Sequence, residues 1–134
     1  MVTVEQYNWS DLFVGLNIEF EQLVTQEHMN LFKELSGDVN PLHIDNDFAL
    51  SQGFNSPVVY GMLTSSFYSK LVGVYLPGAY CLLQGINISY SLPVYVGDTL
   101  TVFGEVSYLN EAYRQIEVKA SIKKASTPIK KQVI

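Results

Sequence analysis

Cysteine is nearly absent from this chain. Cys81 is the only one in 134 residues, so neither an internal disulfide framework nor a cysteine-rich metal site forms within one chain. It sits in the apolar run Cys81-Leu82-Leu83, where it reads as a small buried hydrophobe. Basic charge is scarce as well: 8 Lys and Arg stand against 13 Asp and Glu, for a net charge of −5. No stripe of positive charge is available to neutralise phosphates, which excludes nucleic acid as a partner. Of the basic residues, Lys119, Lys123, Lys124, Lys130 and Lys131 gather toward the C-terminal end. They read as a solvated strand face and tail, or as docking for a phosphorylated ligand. No apolar run reaches the length of a membrane span, so no membrane partner is expected. Residues 1–11 carry Glu5 and Asp11 and lack the apolar stretch of a secretory leader. These readings place the chain in the cytoplasm.

What is present is a folding composition. The apolar fraction is 48% against 16% charged, which suits one packed domain over residues 1–134 rather than a disordered tail. Nine Tyr and seven Phe exceed what a minimal core needs. A subunit interface, a tunnel for an apolar ligand, or core packing alone would absorb them. There is no internal repeat, low-complexity tract or linker.

Residues 17–24 partly alternate and read as a first strand. Thr25 then caps a helix with Glu27 in its first turn, His28, Leu31, Phe32 and Leu35 on one face, and Gly37 as its stop. Asn40-Pro41 imposes extended backbone, because the residue before proline avoids the helical region. Asp45 caps a short helix ending near Gly53. Across 61–76, Leu63, Phe67, Leu71 and Val74 recur at helical spacing. Thr64, Ser65, Ser66, Ser69 and Gly73 keep the other faces small, so a sheet can wrap this helix closely. Pro77-Gly78 ends it. Residues 79–90 are apolar on both faces and imply a central strand. Residues 99–109 alternate loosely, and after the Asn110-Glu111-Ala112 turn Ile116, Val118, Ala120 and Ile122 face one way. Pro128 begins a last short strand. The order gives an α+β class, an antiparallel sheet around a long central helix.

Chemistry concentrates in Ser36-Gly37-Asp38-Val39-Asn40-Pro41-Leu42-His43. Asp38 and His43 cannot face each other on a regular helix, but a loop kinked by Gly37 and Pro41 lets both converge on one point. A carboxylate and an imidazole sharing one water are the minimum for adding or removing water, since one group takes a proton and another gives one. Asp and Asn are also ordinary turn formers after a helix, and that reading stays open. Gly61 opens the long helix, where the first N–H groups lack intrahelical partners. Without a Cβ it admits a ligand close to the backbone, as an oxyanion hole requires; a simple strand-to-helix turn is the alternative.

The block Ser36-Gly37-Asp38-Val39-Asn40-Pro41-Leu42-His43, with Ala49 following, resembles the signature of MaoC-like dehydratases and (R)-specific enoyl-CoA hydratases. Gly61-Met62-Leu63-Thr64 resembles their second block and Leu92-Pro93-Val94, with Gly97-Asp98-Thr99-Leu100, a third. The opening Asp11-Leu12 and Val14-Gly15 fits as well. This resemblance implies a hot-dog fold and a homodimer. It implies reversible hydration of trans-2-enoyl thioesters to (R)-3-hydroxyacyl thioesters. Asp38 and His43 would hold the catalytic water and the Gly61 N–H the thioester carbonyl. Asn40 would order the loop or contact substrate, and Tyr60, Met62 and Leu63 would line the substrate site. Neither metal nor redox cofactor is implied; CoA or an acyl-carrier phosphopantetheine arm enters as part of the substrate. Two departures are visible. Tyr60 stands where the family usually has histidine before Gly61, and residues 125–134 lack the usual closing strand.

Rival readings are distinguishable. Asp38, Asn40, His43, Asp45 and Asp47 suggest a cation loop, but Leu42 occupies a place where a calcium loop needs a ligand, and His43 stands where it needs a glycine. A hot-dog thioesterase would use a carboxylate and a helix N-terminus without needing both Asp38 and His43. A non-catalytic acyl-thioester-binding subunit would bind without turnover.

Overall fold

Thr25 joins a strand to a helix with its own side chain. Its backbone is extended, its hydroxyl accepts from the His28 N–H, and the His28 Nδ1 accepts in return from the Thr25 N–H. The reciprocal cap starts α1 (Gln26–Ser36) directly after β1 (Asn17–Leu23). Gly37 ends the helix in the left-handed region, φ 73°, its N–H on the Lys33 carbonyl. The computed structural model describes residues 2–125. The short strand expected from Pro128, with Lys130 and Lys131, lies outside them.

Two short helices follow. Asn40 takes an extended conformation before Pro41 and caps α2 (Pro41–Ile44) by accepting from the Leu42 N–H. Asp45 caps α3 (Asn46–Ser51) by accepting from the Phe48 N–H. The long helix begins as α4 (Gly61–Lys70) and widens into a π-helical turn, Leu71–Tyr75, closed by the Leu76 N–H on the Leu71 carbonyl. A single helix over 61–76 was expected. The structure keeps the axis but relaxes the last turn around Gly73, and Pro77 stops it.

Among the described residues the sheet has three strands in the order β1, β2, β3, all antiparallel, with β2 (Thr99–Asn110) in the middle and β3 (Gln115–Lys124) outside. Along β2, Leu100, Val102, Gly104 and Val106 turn inward in strict alternation. The π turn lies against this face: a Cβ added to Gly104 would stand 2.6 Å from Leu71 Cδ2. Glycine sets how closely helix and sheet approach. The core joins Val24, Met29, Val59, Tyr60, Leu63 and Leu100, with Phe32, Phe67, Val94 and Ile122 packed on it. Among the described residues no helix is long and apolar enough to cross a membrane.

Two sequence expectations fail. The inward face of α1 is Met29 with Phe32, while Leu31 and Leu35 stand out at 56% and 85% exposure. On so short a helix, apolar spacing fits two overlapping stripes, and packing against Tyr60 selects one. Residues 79–90 form no central strand. β2 holds that place, with both edges already paired; beyond the Ala79 N–H on the Glu5 carbonyl, residues 80–90 join no strand, and Leu82 is 81% exposed. A cavity of about 1480 Å³ separates residues 80–89 from 115–120 of β3. Apolarity on both faces marks a segment that wants cover, and it does not name the strand that provides it.

Candidate active site

Three consecutive pieces of chain build the site. The link after α1 carries Asp38, α2 carries His43, and residues 58–61 lead into α4. Asp38 is held locally: its N–H donates to Ser36 Oγ, 3.1 Å, and its Oδ1 accepts from the Asn40 N–H, 3.0 Å. Such a turn follows from Asp two residues before Asn-Pro. Asn40 is spent on capping, its Oδ1 2.9 Å from the Leu42 N–H. Its side-chain oxygen thereby orders the start of α2.

His43 is half-buried, and its Nδ1 lies 2.6 Å from the Val58 carbonyl oxygen. A carbonyl only accepts, so Nδ1 carries a proton, and Nε2 is the nitrogen whose protonation can change. The backbone on both sides is tied together by the Val58 N–H on the Leu42 carbonyl and the Val59 N–H on the Val94 carbonyl.

Asp38 and His43 line one cavity of about 520 Å³, together with Gly61, Met62 and Thr64 of α4 and the apolar side chains of Phe54, Val58 and Pro93. The kink at Gly37 and Pro41 thus brings acid and imidazole to one space. The first intrahelical donors of α4 are Leu63 and Thr64, both to the Tyr60 carbonyl. The N–H groups of Gly61 and Met62 precede them and have no partner within the helix.

The substrate-lining expectations divide. Met62 is 68% exposed and lines the cavity. Leu63 turns into the core instead, 4% exposed, because its place on α4 faces Val24 and Met29 rather than the opening. Tyr60 touches the cavity, yet it is only 2% exposed and its hydroxyl donates to the Asp38 carbonyl at 2.7 Å. Burial, and after it the Asp38 charge, pushes this phenol above its ordinary pKa.

Sequence reasoning missed Tyr90. Its ring covers Gly61, with Cε1 3.0 Å from where a Cβ would stand, and its hydroxyl meets Ser65 Oγ. It lies in the segment read as a central strand, and no periodicity there distinguishes it. The third motif block has a structural account: Leu92, Pro93 and Val94 wall the cavity. Gly97, φ 97°, and Asp98 then close a turn in which Asp98 Oδ2 accepts from the Tyr95 N–H and meets Lys124 Nζ at 3.3 Å. Among the described residues no group of three or more His, Cys, Asp or Glu is placed to hold a metal ion.

An antiparallel sheet laid along one long helix, with an Asp and His pair at the helix N-terminus, defines a hot-dog fold of the hydratase and dehydratase class. A family model for the MaoC like domain matches residues 15–127, and the chain belongs to that family. It is 46% identical over 100 residues to the (R)-specific enoyl-CoA hydratase of Aeromonas caviae, covering 75% of either chain. It is 32% identical over 112 residues to a mitochondrial 3-hydroxyacyl-[acyl-carrier-protein] dehydratase of Arabidopsis thaliana, covering 84% of this chain and 66% of that one. The solved (R)-hydratase from A. caviae superposes with a TM-score of 0.80 at 36% identity, covering 84% of this chain and 86% of that chain. An unliganded R-hydratase from Pseudomonas aeruginosa, 22% identical, shares the fold over 97% of this chain and 98% of its own, with a TM-score of 0.75.

Proposed function

We propose that this chain catalyses the reversible hydration of trans-2-enoyl thioesters to (R)-3-hydroxyacyl thioesters, with Asp38 and His43 as the proton-moving pair and the Gly61 N–H as the oxyanion donor. The observation that carries this reading is the shared cavity: Asp38 and His43 face one space walled by the first turn of α4.

The chemistry follows from donors and acceptors. His43 Nε2 and the second oxygen of Asp38 are both acceptors, so together they hold the two hydrogens of one water and leave its lone pair free. That lone pair bonds to C3 of the enoyl group while one O–H bond breaks toward the pair. The C2–C3 π electrons move toward the thioester carbonyl, whose developing negative charge meets the helix N-terminus. The proton held by the pair then goes to C2. Hydroxyl and hydrogen arrive from one side of the double bond, which makes the addition syn, and no proton is gained or lost overall.

The chain acts as a homodimer in the cytoplasm in this reading. Large exposed apolar side chains such as Leu31, Leu35 and Val39 support a covered face, and a lone thiol suits a reducing compartment. CoA is the favoured carrier, because its own phosphates need few contacts from a chain with 8 basic residues. The test follows the enoyl-thioester absorbance of crotonyl-CoA and longer homologues beside an assay for free thiol. Loss of absorbance without thiol release is the expected result. Thiol release would assign a thioesterase, and tight binding without turnover a non-catalytic subunit.

A further inference from the structure

Tyr60 touches both members of the pair. Its ring stacks on the His43 imidazole with centroids 4.2 Å apart at 30°, and Phe32 backs it at 4.7 Å. Its hydroxyl reaches the Asp38 carbonyl at 2.7 Å. We propose that Tyr60 is a positioning residue that fixes the separation of Asp38 and His43, a role resting on the hydration reading and distinct from substrate contact.

The two partners are otherwise held in different ways. His43 has its own anchors, the Val58 carbonyl at Nδ1 and the Asn40 carbonyl on its backbone N–H. The other hydrogen bonds of Asp38 go to Ser36 and Asn40, two residues away on either side. Those bonds shape the turn, and Asn40 passes it on to α2 through the His43 N–H, but none of them reaches residues 58–61. The Tyr60 hydroxyl spans that gap from the residue that also begins α4. One buried residue therefore references the Asp38 backbone, the imidazole and the start of α4 to a common point. The raised phenol pKa keeps the hydroxyl protonated, so it stays a donor. Histidine, usual here in the family, would not place a hydroxyl at that distance from its ring.

Three proteins decide it: the full chain, Tyr60→Phe and Tyr60→Leu, each followed by steady-state hydration of crotonyl-CoA, thermal melting and NMR. Tyr60→Phe keeps the stack and loses only the tether. We expect it to melt near the parent and to lose on the order of ten- to a hundredfold in kcat, since small misplacements are costly, with KM within about twofold. The amide resonances of Asp38 to Asn40 should shift while the His43 ring protons keep their stacked position. Tyr60→Leu should lose more in kcat and should move the His43 ring protons as well. An unchanged kcat in Tyr60→Phe overturns the proposal, and so does a raised KM with kcat retained, which would make Tyr60 a substrate contact. If the full chain does not hydrate enoyl thioesters, the hydration reading fails. The Asp38 to Asn40 amide shifts in Tyr60→Phe then still decide whether Tyr60 holds that turn: movement supports the tether and its absence overturns it.

Discussion

His43 Nδ1 and the Val58 carbonyl oxygen lie 2.6 Å apart, across fifteen positions of sequence. This bond puts the ring proton of the neutral tautomer on Nδ1, which leaves Nε2 as the acceptor. A carboxylate in the same cavity supplies the second acceptor that a water needs.

Asp38→Asn and His43→Gln should each remove about 10²–10⁴ of the hydration rate, the usual contribution of a general acid or base. Both substitutions nearly conserve volume, so circular dichroism and melting should change little. The double variant should be scarcely slower than the worse single one, because the pair acts on one water as a unit. Parent-like turnover in either single variant would remove the mechanism.

Gly61 offers a test of the oxyanion donor in two parts. Proline is tolerated in a first helical turn and lacks the N–H, so Gly61→Pro should cost about 10²–10³ in kcat. Gly61→Ala keeps the N–H but pushes a Cβ to 3.0 Å from Tyr90 Cε1. Tyr90 is 57% exposed and free to give way, so alanine should act mainly through KM. Pairing Gly61→Ala with Tyr90→Ala should restore that KM. Equal kcat in the parent and a folded Gly61→Pro would reduce Gly61 to a turn residue.

Gly104→Ala probes the distance between helix and sheet. The added carbon would sit 2.6 Å from Leu71 Cδ2 and 3.1 Å from Val118 Cγ1, and Leu71 is fully buried. Overpacking of this kind costs about 1–3 kcal/mol. Urea denaturation should show the loss, and Leu71→Val in the same chain should recover part of it. Two additive losses would mean that the residues do not share the strain.

The carrier is decided by salt. The same enoyl group on CoA and on an acyl-carrier protein, compared by kcat/KM at low and moderate ionic strength, separates a small-ligand contact from a charge-steered protein encounter. We expect the CoA ester to be preferred and only weakly salt-dependent. A strong preference for the protein-borne substrate that collapses with salt would reverse the assignment.

Much of this site was legible because its signals are local. Thr25, Gly37, Asn40 and Asp45 each act on backbone groups within four residues, so caps and kinks read directly from spacing. The convergence of Asp38 and His43 followed from those kinks. The contacts of Tyr60 were not legible, since a tyrosine's partners depend on which rings three other elements bring to it. Leu63 was misplaced for a related reason: a motif block fixes that four residues adjoin the site, whereas the helix turn decides which one looks inward. The strand read at 79–90 failed because hydrophobicity reports a need for burial and carries no address.

Asp38, His43, Val58 and Tyr60 belong to one stretch of chain, closed on itself by the His43–Val58 and Tyr60–Asp38 bonds. Val59 to Val94 is the backbone bond that ties this unit to the far side of the cavity. Such an arrangement has little loop-closure entropy to overcome, and stretches of this kind open and close as one cooperative block. We expect the proposed catalytic geometry to behave as a cassette within the fold, with similar hydrogen-exchange protection at the bonded amides of His43, Val58, Val59 and Thr64 even where the surrounding sheet is graded.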